Sequence, residues 1–168
     1  MKEMTKENLS AAFAGESQAH MRYLVFAAKA EEEKKPNVAR LFRAASLSEQ
    51  RHATNHLRAL DGVKATGDNL QAALGGETFE IDEMYPSYVE VAQSQGEAQA
   101  RTSMEAALAA EKVHAQLFGQ AIQALVSGGD LKIADIYVCS HCGFTMIGTP
   151  PDKCPICNTP REKFDRFQ

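Results

Sequence analysis

The tetrapeptide Glu111-Lys112-Val113-His114 and its earlier counterpart Glu49-Gln50-Arg51-His52 constrain this chain most. In a helix, residues three apart lie on one face about one turn apart, so each Glu-x-x-His presents a carboxylate beside an imidazole. Apolar residues flank both copies: Leu41, Phe42 and Ala45 before Glu49, and Leu108 and Phe118 on either side of Glu111. That pattern turns the acids inward, where a carboxylate must be paired, protonated or metal-bound. Each copy also has a Glu one helix upstream, Glu16 and Glu77. Two Glu plus two Glu-x-x-His is the ligand pattern of di-metal carboxylate four-helix bundles.

Helical periodicity runs over residues 5–35, 37–61, 67–96 and 97–126, with Thr5 as the first N-cap. Pro36, Gly62, Gly96 and Gly128-Gly129 act as stops, and Pro86 is expected to kink the third segment. Helices of 25–30 residues span about 40 Å, the proportions of a long bundle. An internal repeat reinforces this. Ala12–Ser17 resembles Ala73–Thr78, and Glu49 and His52 lie 62 residues before Glu111 and His114. The repeat predicts a pseudo-twofold site built from two copies of a helix pair. It also exposes an asymmetry, because Glu80 falls where the first copy has Ala19.

Beyond Gly128 the helical period is lost. Residues 130–136 read as a linker, followed by Cys139-Ser140-His141-Cys142 and Cys154-Pro155-Ile156-Cys157. All four cysteines lie in these two knuckles, and the N-terminus has no apolar export segment, so a metal site is favoured over disulfides. Some 30 residues cannot bury enough core alone, which makes the metal structural as well. The expected division is therefore 1–129, a helical di-metal domain, and 130–168, a metal-knuckle domain. A net charge of −4 gives no general basis for binding nucleic acid, and no apolar run is long enough for a membrane span. A cytoplasmic protein is expected.

Glu16, Glu49, Glu77, Glu111, His52 and His114 form a symmetric set in which Glu49 and Glu111 are placed to bridge two ions. Oxygen and imidazole donors suit Fe(II), Mn(II) or Zn(II), and four carboxylates balance two divalent ions. Glu80 is a fifth carboxylate that could compensate the added charge of an oxidised pair; its alternative is a solvated side chain. His20 and His56 lack counterparts in the other half and read as structural or supporting groups, and His141 as knuckle-loop filler. Tyr23 and Tyr85, about two turns beyond Glu16 and Glu77, either bond ligand carboxylates or pack in the core. Spacing alone leaves zinc and iron equally open for the cysteines.

Gly15-Glu16-Ser17-Gln18-Ala19, Glu49-x-x-His52, Gly76-Glu77-Thr78-Phe79-Glu80, Glu83-Met84-Tyr85-Pro86 and Glu111-Lys112-Val113-His114 resemble the rubrerythrins, as does the closing Cys-x-x-Cys…Cys-Pro-x-Cys. The resemblance spans essentially the whole chain. It implies a mainly α fold: a ferritin-like four-helix bundle with a small C-terminal rubredoxin-like domain. It implies a non-haem di-iron centre held by Glu16, Glu49, Glu77, Glu80, Glu111, His114 and, when reduced, His52. It also implies one iron held by Cys139, Cys142, Cys154 and Cys157. By the same resemblance, His52 and Glu80 exchange on one iron during catalysis. The activity implied is reduction of hydrogen peroxide to water by a homodimer in an anaerobe or microaerophile. Electrons would come from NAD(P)H through a reductase, often with rubredoxin. Asn158 departs from stand-alone rubredoxins, which usually have Gly there. The rival readings are a ferroxidase or iron store, which has no use for an internal electron carrier, and a zinc-bound adaptor without turnover.

Overall fold

A computed structural model describes residues 1–168 as two compact units, Met1–Lys64 and Ala65–Gln168. The first unit is a helix pair, α1 (Glu3–Glu32) and α2 (Pro36–Ala59). Its seam is made of small residues: Ala19, Ala27 and Ala30 on α1 meet a second helix whose buried residues are Ala39, Ser46 and Ala53. Small side chains let two backbones approach closely and leave the larger apolar residues on the flanks. Leu41, expected beside Phe42 on the inward face, is 67% exposed. On one flank Tyr23, Phe26 and Phe42 form an aromatic cluster with ring centroids 5.6–6.4 Å apart. Tyr23 is thus a packing residue.

The second unit opens with a long segment read from sequence as one kinked helix. It is α3 (Thr66–Phe79), a π-helical stretch at Glu80–Met84, and α4 (Tyr85–Ser94). Pro86 stands in the first turn of α4, directly after the π-helical stretch, one of the devices by which a helix accommodates an irregularity in its hydrogen-bond ladder. Then comes α5 (Ala98–Val126), which packs against α3 and α4.

All four helical segments end in the same backbone device, a left-handed residue with paired bonds back onto the last turn. Gly96 and Gly128 supply it after α4 and α5, but Lys34 and Asp61 do so after α1 and α2, at φ of 57° and 58°. Gly62, expected as the stop of the second helix, lies one residue beyond Asp61, its N–H bonded to the Leu57 carbonyl. The start of α1 also differs from expectation: Lys2 is the N-cap, with no side-chain cap bond, and Thr5 lies inside the helix.

The C-terminal segment is a three-stranded antiparallel sheet in the order β2-β1-β3, with β1 at Ile136–Cys139, β2 at Thr145–Ile147 and β3 at Phe164–Phe167. The β1–β2 hairpin carries the first knuckle at its turn. Val138 pairs with Thr145 in this ladder, so the strand nearest α5 begins three residues after Cys142.

Candidate metal centres

In the first unit, Glu16 on α1 and Glu49 and His52 on α2 bring one ligand atom each within 4.8 Å of one another. His52 Nδ1 lies 2.9 Å from Glu49 and 3.9 Å from Glu16. In the second unit, Glu77 on α3 and Glu111 and His114 on α5 repeat the arrangement. His114 Nδ1 lies 2.8 Å from Glu111 and 3.8 Å from Glu77. The Glu-x-x-His spacing therefore does what helical geometry requires, and it does so twice to within 0.1 Å.

The second triad gives a direct test of fit for a cation. Glu77 Oε2 is buried and makes no hydrogen bond. Burial pushes the Glu77 carboxyl up to about 7, and the neighbouring Glu111 and then Glu80 push in the same direction. A carboxylate that burial and its neighbours both disfavour as an anion is one that a divalent ion would stabilise. Glu80 stands outside the close-set triad, yet its charge reaches Glu77 and also Tyr85. Burial first, then the charges of Glu111, Glu80 and Glu77, raise the Tyr85 phenol above its ordinary value and keep it a proton donor. Of the two tyrosines, Tyr85 belongs to the carboxylate site.

His20 resolves as structural. Its Nδ1 lies 2.9 Å from the Ser46 carbonyl and 2.8 Å from the Ser46 hydroxyl, which donates to the His20 carbonyl at 3.0 Å. Ser46 is only 1% exposed, so this interlock satisfies polar groups in the α1–α2 seam. His141 is exposed on the knuckle loop, as expected.

The four cysteine sulfurs also lie within 4.8 Å of one another. Cys139 Sγ is 3.6 Å from Cys157 Sγ, and Cys142 Sγ is 3.6 Å from Cys154 Sγ. Both knuckles turn alike: the Gly143 N–H donates to the Cys139 carbonyl and the Asn158 N–H to the Cys154 carbonyl, each at 2.9 Å. Gly143 and Asn158 have φ of 77° and 61°. Asn tolerates this left-handed region better than other side chains, so the departure from glycine at Asn158 leaves the turn intact. Burial raises the Cys142 and Cys154 thiols. Burial also raises Cys157, but bonds with the Thr159 hydroxyl and backbone outweigh it and bring that thiol down to about 6. Packed thiols that resist ionisation by burial are the ligands a metal ion would deprotonate.

One residue of this region carries no sequence motif. Thr145, 5% exposed, places Oγ1 2.8 Å from His114 Nε2. The only signal in the sequence is a hydroxyl at an inward strand position, which obliges a partner without naming it.

Comparison with known proteins agrees with both centres. The rubrerythrin family model matches residues 7–122, and the model of the rubrerythrin rubredoxin-like domain matches 137–165. Rubrerythrin-2 of Clostridium acetobutylicum is 41% identical over 98% of this chain and 97% of its own. Nigerythrin of Nitratidesulfovibrio vulgaris is 32% identical over 97% of this chain and 86% of its own. The solved structure of fully reduced, all-ferrous nigerythrin has a TM-score of 0.56 at 30% identity, covering 97% of this chain and 86% of that one. The fold class is thus the expected one, mainly α and ferritin-like with a rubredoxin-like module. Its carboxylate–histidine triads and four-cysteine knuckles are the groups of a di-iron site and a mononuclear iron site. The chain belongs to the rubrerythrin family.

Proposed function

We propose that this protein reduces hydrogen peroxide to water at the di-iron site and is re-reduced through the tetrathiolate iron. Glu16, Glu49, Glu77, Glu111, His52 and His114 would hold the di-iron pair, with Glu80 as the further carboxylate of the oxidised state. Cys139, Cys142, Cys154 and Cys157 would hold the third iron. Bound iron supplies the two electrons that peroxide takes up with two protons to give two waters. The chain's own residues shape that chemistry. Glu77 and Glu111 compensate the ionic charge, and the Tyr85 phenol offers a proton donor amid the carboxylates. His52, the more exposed imidazole, is the ligand free to leave in favour of Glu80.

The observation that carries the reading is the presence, in one chain, of carboxylate–imidazole triads and a four-thiol cluster. The pair joins peroxide chemistry to a one-electron supply. Residues 1–129 would hold the catalytic iron and residues 130–168 the carrier. A homodimer in the cytoplasm of an anaerobe or microaerophile is the setting proposed, with rubredoxin or an NAD(P)H-dependent reductase as donor.

Metal analysis joined to an anaerobic peroxide assay tests this. Three irons per chain, a red ferric form and peroxide consumption linked to NAD(P)H oxidation through an added reductase are expected. A colourless zinc protein, or iron uptake without peroxide turnover, would overturn it.

A further inference from the structure

A ferritin-like bundle joins its second and third long helices by a crossover that runs the length of the bundle. Here those helices are α2 and α3, and only the six residues 60–65 join them. Glu49 lies ten residues before the end of α2, and Glu77 lies eleven after the start of α3. For the two helices to run in the same direction with these ligands level, the connection must climb about 32 Å. Fully stretched it would reach about 25 Å. It is not stretched: the Asp61 N–H bonds to the Arg58 carbonyl at 3.0 Å and the Gly62 N–H to the Leu57 carbonyl at 2.9 Å, which folds its first half back onto α2. One chain cannot close this bundle on itself.

Each unit also lacks a cover. Every buried apolar residue of α1 and α2 is an alanine, while Leu24, Phe26, Val38 and Leu41 are 42–67% exposed. In the second unit Phe79, Tyr88 and Val91 are 51–53% exposed. Long helix pairs need a larger apolar core than alanine seams supply. Each unit carries half a ligand set as well, two carboxylates and one imidazole. We infer that two copies of this chain exchange helix pairs, so that each di-metal site takes Glu16, Glu49 and His52 from one copy and Glu77, Glu111 and His114 from the other. With the copies related by a twofold axis across the bundle direction, the short connection passes from one bundle into its neighbour. The α2 of one copy and the α3 of the other then run the same way, and no crossover is needed. Short hinges favour such exchange. The inference rests on the two triads sharing one metal pair, as proposed above.

Mixed dimers decide it, with zinc as the probe because it suits the same donors. Two differently tagged copies, one carrying Glu49→Ala and the other Glu111→Ala, are co-expressed, and the mixed dimer is isolated through both tags. Zinc is titrated in and counted by native mass spectrometry. Exchange puts both substitutions in one bundle and leaves the other whole. The mixed dimer should then hold one zinc pair as tightly as the unaltered chain does, while either variant alone binds its pairs at least about tenfold more weakly. A mixed dimer without a tight pair overturns the exchange. Conversely, a copy with both substitutions joined to an unaltered copy should leave no tight pair, and one intact pair there overturns it. Should the alanine variants fail to fold, Glu49→Gln and Glu111→Gln keep the side-chain shape and serve in both experiments. The metal-free, unaltered chain should sediment as a dimer whose thermal midpoint rises with concentration. A folded monomer overturns the exchange without any metal. If the unaltered chain holds zinc only at its cysteines, the shared-site reading fails, while sedimentation still reads the exchange.

Discussion

The two Glu-x-x-His triads are near copies in their inner contacts and unlike in everything around them. His52 and His114 meet their own Glu at 2.9 and 2.8 Å and the upstream Glu at 3.9 and 3.8 Å. Yet the His52 side chain is 51% exposed with an unpartnered Nε2, whereas His114 is 31% exposed and bonded to Thr145. Glu77 carries a buried oxygen without a partner and lies under the charge of Glu80; Glu16 has neither burden. A repeated ligand motif thus specifies the inner contacts of each triad but not its surroundings.

Exchanging each histidine for alanine strains this comparison most. His114→Ala takes from the buried Thr145 hydroxyl its bond to the imidazole, leaving only the 3.2 Å bond to the Gly143 carbonyl, and should cost the metal-free protein about 1–3 kcal/mol, whereas His52→Ala should change it by less than about 0.5 kcal/mol, as at other exposed sites. Matched urea titrations read both values, and equal losses would mean that the His114 clamp contributes nothing.

Glu80→Ala probes the asymmetry from the redox side. Both irons should remain bound in the reduced protein, the reduction potential should rise as the ferric state loses a compensating anion, and peroxide turnover should fall by about tenfold. Potentiometry and stopped-flow measurements check this. Crystal structures in both oxidation states sharpen it further, since Glu80 in solvent in each would rule out an exchange with His52.

A third contrast is titrable in the metal-free protein. The Glu77 carboxyl is raised from its ordinary 4.5 to about 7, so the folded state holds that proton more tightly than the unfolded chain. Its contribution is therefore fully present below about pH 4.5 and is lost as pH rises through 7. Partial solvent access reduces the effect to on the order of 1–2 kcal/mol. Glu77→Gln should flatten this slope, and Glu16→Gln should leave it in place. A flat profile between pH 5 and 8 in the unaltered apo protein would show that Glu77 is solvated.

Ser46→Ala should have the smallest effect, under about 1 kcal/mol by thermal unfolding. The His20 Nδ1 keeps the Ser46 carbonyl as its partner, so what is lost is the hydroxyl's bond to the His20 carbonyl and its contact with Nδ1.

Periodicity and spacing made much of this legible. Glu16, Glu49, His52, Glu77, Glu111 and His114 announce themselves because a helix turns their fixed separations into proximity within each pair. The four cysteines do so because a knuckle is a local object. What stayed hidden is of two kinds. Thr145 acts across 31 residues of sequence, and nothing local marks which imidazole an inward hydroxyl will meet. Lys34 and Asp61 adopt left-handed backbone where Pro36 and Gly62 were the expected stops, since the closing bonds onto the last turn outweigh a modest local penalty. Leu41 misled for a related reason: a seam of Ala and Ser lets the helices touch without it.

The π-helical stretch at Glu80–Met84 has a consequence for how the two halves diverge. Tyr23 follows Glu16 by seven residues, but Tyr85 follows Glu77 by eight. One additional residue in a helix shifts everything beyond it by roughly 100° of phase unless it is absorbed locally, and a π turn is the form that absorption takes. The second half is therefore the first half with a single insertion, confined to five residues and placed at Glu80. Shortening that stretch by one residue should restore uninterrupted α-helix and bring Tyr85 into the register of Tyr23. It would take from Glu80 the widened turn on which it stands, bringing the backbone of the second half back toward that of the first.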